Sequence, residues 1–130
     1  MTLDDFLEPR RDVIELKAAD RWGAIDELIA HLASTNRIKQ EHVEGITAAV
    51  KKRETSMSTG IGFGIGIPHA ATDLVSETVG VIGRSQNGIE FDALDGQPVK
   101  LVLLFLVPAG YFPEHVHALA DVVKELRKLQ

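Results

Sequence analysis

The sequence predicts a layered α/β domain, and three observations carry that prediction. Two stretches in the first half repeat their apolar residues at helical spacing. Gly60 to Gly66 alternates glycine with apolar residues, which is the period of extended chain. Val99 to Val107 is apolar at both alternating sets of positions, as in a strand covered on both faces. Strands mixed with helices around one doubly covered strand imply packed layers. The 130 residues fit one domain, since single cores run from about 50 to 250 residues.

Along the chain, Val13 to Leu16 reads as a short edge strand or extended lead-in. Asp20 is placed to cap a helix, its carboxylate accepting from N–H groups of the first turn. Trp22, Ile25, Leu28, Ile29 and Leu32 then share one helical face, and Ser34-Thr35-Asn36 ends it. A second helix fits Gln40 to Lys52, with Val43, Ile46 and Val50 facing inward and the period stopping at Arg53. The glycine segment follows as extended chain with one bare face. Thr78 to Gly83 is a further strand, and Asn87-Gly88 is a turn signal across which Ile89-Glu90-Phe91 would pair. Pro108 ends the central strand. From Pro113 a helix runs to the C-terminus, with Val116, Leu119, Val123 and Leu126 as its stripe.

Composition narrows the function. Fourteen Lys and Arg stand against nineteen Asp and Glu, a formal charge of −5. A nucleic-acid reader would show a basic stripe instead. There is no cysteine. That excludes disulfides, thiolate metal sites and a cysteine nucleophile, and suits a reducing cytoplasm. Met1 to Arg11 has no apolar signal core. The longest apolar run, Leu101 to Pro108, is far short of the ~20 residues that span a bilayer. The expectation is a soluble, cytoplasmic protein with no membrane insertion.

Several residues have the chemistry of a site. The glycine ladder is not a dinucleotide fingerprint, because its spacing is G-x-G-x-G-x-G leading into Pro-His, and no Walker lysine follows. Two readings of it stand: a strand packed closely under a neighbour, or glycines that clear space around His69. His69 follows Pro68, which holds Ile67 extended and places the histidine at a strand end, where α/β sheets bind ligands. His115 and His117 are two apart, about 200° around a helix, and so are no natural metal pair. A zinc site from His69 and His115 would need a third ligand, for which Asp73 or Glu114 is available. Arg53-Glu54 reads either as a solvated helix end or as an arginine aimed at an anion. Tyr111 and Phe112 follow the central strand as core or contact residues.

Taken together, Arg53-Glu54, Ser58-Thr59-Gly60 and Gly64-Ile65-Gly66-Ile67-Pro68-His69 resemble the active-site stretch of the fructose/mannitol-type enzyme IIA domains. Those are phosphocarriers of the phosphoenolpyruvate-dependent phosphotransferase system. Phe91 to Val99 resembles the family's second signature. Leu101 to Pro108 with His115-Val116-His117-Ala118-Leu119 resembles its third. A stand-alone domain of this kind is most similar to the nitrogen-related, regulatory enzyme IIA. Gly66 and Ala70 depart from the usual alanine and glycine but remain small. The family ordinarily continues for one more helix, so residues 1–130 are expected to be a single domain lacking that last helix.

The resemblance implies a mixed β-sheet flanked by helices. It implies that His69 is phosphorylated, that His115 is the second active-site histidine and that Arg53 faces the phosphoryl group; His117 has no counterpart. The donor would be an HPr-like carrier. The acceptor would be an enzyme IIB cysteine, or the phosphate would itself be a signal to regulatory proteins. No metal, nucleotide or other cofactor is implied. Partners would dock over His69, with Ile61, Phe63 and Tyr111 as candidate contacts. Two other classes compete with this reading: a docking module of the same fold without transfer, and a metal-dependent hydrolase.

Overall fold

The computed structural model describes residues 13–56 and 58–109. β1 (Val13–Glu15) leads through Asp20 into α1 (Arg21–Ser34). The Asp20 carboxylate accepts from the Gly23 N–H at 2.8 Å, as its position predicts. α1 buries Ile25, Leu28, Ile29 and Leu32, and Asn36 breaks away from it with φ 61°. A 3₁₀ turn at Gln40–His42 then feeds α2 (Val43–Ser56). This helix runs past Arg53, where the apolar period stops, because Glu54 extends its inward row: the buried residues are Ile46, Val50 and Glu54.

The sheet is mixed. β5 (Val79–Ile89) lies between β1, its parallel neighbour, and β6 (Val99–Pro108), its antiparallel one. On the other side of β6 run two short parallel segments in one line, β3 (Ile65–Gly66) and β4 (His69–Thr72). β2 (Gly60–Gly62) pairs antiparallel with β3 at the edge. β6 is buried along almost its whole length, as its double-faced apolar pattern predicts. Its Val102, Leu104 and Leu106 join the core under α1 and α2 together with Ala70, Val79, Val81 and Ile89. By alternation, Leu101, Leu103, Phe105 and Val107 point to the opposite face, where they too are buried.

Two expected elements take a different form. The glycine segment is a hairpin rather than one strand: Phe63 and Gly64, with φ of 59° and 75°, turn the chain between β2 and β3. Positive φ at both central residues is the geometry of a tight two-residue turn. Asn87-Gly88, conversely, is no hairpin. Arg84 pairs with Leu101 and Ile89 with Val99, so Ser85 to Gly88 forms an irregularity within β5 and the strand continues. The Ser85 hydroxyl accepts from the Gly88 N–H at 3.1 Å inside it. The helix expected from Pro113 onward lies outside the described residues.

Candidate functional site

His69 opens β4 opposite Phe105 of β6. It is therefore at a strand end, but one where the chain enters β4 rather than leaves the sheet. The Pro68 carbonyl accepts from the Phe105 N–H at 3.1 Å, which carries the pairing across the proline. The imidazole is 3% exposed. It stacks on the Phe105 ring, with centroids 4.9 Å apart and planes 7° from parallel. Its Nδ1 lies 2.8 Å from the Ile67 carbonyl oxygen. A carbonyl only accepts, so in the neutral ring Nδ1 carries the proton and Nε2 the lone pair.

Burial holds the His69 pKa below the ordinary 6.5; the bond to Ile67 opposes that shift, the Arg53 charge adds to it, and the Glu54 charge opposes it. The ring is thus neutral at pH 7, with its nucleophilic nitrogen fixed by the backbone.

Beside His69 is a cleft of ≈ 450 Å³ between α2 and β4. Ala49, Lys52, Arg53 and Ser56 line it from the helix, and His69, Ala70 and Ala71 from the strand. Helical spacing explains the first set, since positions 49, 53 and 56 fall on one face of α2. Two cationic side chains beside a neutral imidazole suit an anionic group, and a guanidinium fork matches phosphate oxygens. Two other clefts, of ≈ 510 and ≈ 470 Å³, contain no histidine.

The structure brings Arg53 and His69 together. His115, His117, Glu114 and Tyr111 lie outside the described residues. Asp73 sits in the exposed turn after β4. Among the described residues, no three His, Cys, Asp or Glu side chains are gathered to hold a metal ion. Phe63 is at the hairpin tip, beyond Ile65, whose partner Leu101 is four residues along β6 from Phe105. Four residues of strand span roughly 13 Å, so Phe63 does not rim the cleft. Ile61 lies in β2 of the same hairpin.

The glycines do not clear space at His69 either. A Cβ on Gly60 would lie 2.8 Å from the Ala93 Cβ, and one on Gly66 3.0 Å from the Phe91 ring. The close-packing reading of the ladder is the one the structure bears out.

Sequence reasoning missed Glu54. It is 1% exposed, not part of a solvated helix end. Its Oε2 accepts from Arg21 Nη1 at 3.1 Å and from the Thr59 N–H at 2.9 Å, and its Oε1 accepts from the Thr59 hydroxyl. A signal existed: positions 46, 50 and 54 form one inward row of α2, and a carboxylate continuing an apolar row needs a partner.

Residues 6–128 match the family model described as "Phosphoenolpyruvate-dependent sugar phosphotransferase system, EIIA 2". The chain belongs to this enzyme IIA family. A fructose-specific EIIA component of the phosphotransferase system from Haloferax volcanii is 38% identical, over 87% of this chain and 72% of that one. A nitrogen regulatory protein from Bradyrhizobium diazoefficiens is 31% identical, over 98% of this chain and 81% of that one. Among solved structures, nitrogen regulatory protein IIA-Ntr from Neisseria meningitidis superimposes with a TM-score of 0.71 at 27% identity, covering 92% of this chain and 75% of that one. The mixed sheet flanked by helices is thus the enzyme IIA fold. The family's place is phosphoryl carriage in the phosphotransferase system or in its nitrogen-related branch. No helix among the described residues is long and apolar enough to cross a membrane.

Proposed function

We propose that this enzyme IIA accepts a phosphoryl group on Nε2 of His69 from an HPr-like phosphocarrier. It then passes the group to an enzyme IIB cysteine, or retains it as a regulatory signal. The observation that carries the reading is the His69 ring itself: buried, stacked on Phe105, and tied through Nδ1 to Ile67 beside Arg53.

The step balances without a co-reactant. The Nε2 lone pair of His69 attacks phosphorus as the donor's N–P bond breaks, and that bond's electron pair returns to the donor ring. The Nδ1 proton of His69 stays in place, and the Ile67 carbonyl supports the positive charge the ring gains on phosphorylation. Such transfers proceed through loose transition states, so catalysis rests on positioning and charge stabilisation. Arg53 supplies the charge, and His115 would donate to the phosphoryl oxygens.

The test supplies phosphoenolpyruvate, enzyme I and an HPr-type carrier to the wild type and His69→Ala. Intact mass and acid treatment then follow. An acid-labile phosphate on the wild type alone is expected. A folded wild type that takes no label from cognate donors would leave a docking module.

A further inference from the structure

We propose that Glu54 is a positioning residue for phosphoryl transfer, holding Arg53 against His69 from the inner side of the last turn of α2. The inference rests on the phosphocarrier reading above. Arg53 and Glu54 are consecutive, about 100° apart around the helix axis, so one faces the cleft while the other faces the interior. α2 ends at Ser56, and terminal helical turns fray unless tied down. A cation on that turn is held only as well as the turn is held.

Glu54 supplies the tie. Its side chain is fully buried. It joins the end of α2 to Thr59 just before β2, to Arg21 at the start of α1 and, through Arg21, to the Phe91 carbonyl at 3.3 Å. Arg21 is itself steadied by the Trp22 ring, 4.4 Å below its guanidinium carbon. The Ser58 hydroxyl donates to the same Phe91 carbonyl, so the chain leaving α2 is bound at two consecutive residues, Ser58 and Thr59.

Stability alone does not account for this arrangement. A buried ion pair replaced by apolar residues of the same shape often leaves a protein equally stable. Placement does account for it, because the charge fixes one geometry for the residue beside it. The Glu54 charge is also felt at His69, in the sense opposite to that of Arg53. It therefore moderates the cation it places.

The experiment measures transfer from an HPr-type carrier to wild type, Glu54→Gln, Thr59→Val, Arg53→Ala and the Arg53→Ala/Glu54→Gln double variant. Glu54→Gln is expected to lower kcat by roughly 10-fold to 100-fold, the cost of a misplaced group. KM for the carrier should stay within about twofold, since docking is untouched. In the Arg53→Ala background the same change should cost under about twofold, because it acts through the arginine. A folded Glu54→Gln with wild-type kcat, or an equal loss in both backgrounds, overturns the proposal. If Glu54→Gln does not fold, Thr59→Val and Arg21→Lys are judged by the same two criteria. A wild type that takes no phosphate overturns the phosphocarrier reading and this inference with it. A labelled wild type with unchanged variants overturns the role of Glu54 alone.

Discussion

The β2–β3 hairpin and β4 lie end to end along the same side of β6, joined only by Ile67 and Pro68, yet small residues serve opposite ends in the two. In the hairpin they remove space. Gly60 lets Ala93 approach to a distance no Cβ would permit, and Gly66 lets the Phe91 ring pack more tightly than most Cβ atoms allow. In β4 they leave space. Ala70 and Ala71, with Ala49 of α2, border the ≈ 450 Å³ cleft beside His69. A run of small residues before a histidine therefore has no single meaning. The glycines build the frame, and the alanines keep the entrance.

The largest effect that separates the two regions is expected at Gly60. Its Cβ would meet the Ala93 backbone at 2.9 Å, and backbone cannot swing aside. Gly60→Val should destabilise by about 1–3 kcal/mol, the usual cost of overpacking. A lowered urea midpoint reads the loss, while the fraction that remains folded should still accept phosphate. Ala71→Leu is the mirror image. Ala71 is exposed and lines the cleft, so stability should move by no more than ~0.5 kcal/mol. Transfer from the carrier should slow by about tenfold or more, because the reacting groups no longer meet in register. If Ala71→Leu unfolds the protein and Gly60→Val blocks transfer without destabilising, the assignment of frame and entrance is reversed.

The same contrast explains what the sequence revealed and what it withheld. α1 and β6 were legible because burial there repeats: Ile25, Leu28, Ile29 and Leu32 recur at helical spacing, and β6 is apolar on both faces. Asp20 was legible because capping depends on a few adjacent residues. His69 and Arg53 stood out by residue type and by their resemblance to family signatures. What was not legible depends on distant partners. The hairpin turn at Phe63 puts a bulky residue at positive φ, against local preference, where Asp95 accepts from its N–H at 3.3 Å. Asn87-Gly88 looks like a turn locally, but β6 continues alongside and absorbs it as an irregularity. Glu54 looks like a surface carboxylate until Arg21, 33 residues earlier, is brought to it by the fold.

The smallest predicted effect concerns pH and sharpens the entrance side of the comparison. Burial is the first cause of the lowered His69 pKa, so its titration followed by NMR should fall below 6.5. The sign of the linked stability follows. In the unfolded chain the ring takes a proton near ~6.5, while in the folded protein it resists until lower pH. Between those two values the unfolded state binds more protons, so stability falls as pH drops through that window and is fully present above it. His69→Gln should remove this part of the slope between neutral and mildly acid pH, measured as urea midpoints against pH. The Ile67 carbonyl and Glu54 oppose the shift, whereas Arg53 strengthens it. Arg53→Ala should therefore raise the His69 midpoint toward its ordinary value, and Gly60→Val, whose clash is with Ala93, should leave it unchanged. A midpoint that responds equally to both would mean that the hairpin and the cleft are one environment, and the division between frame and entrance would fail.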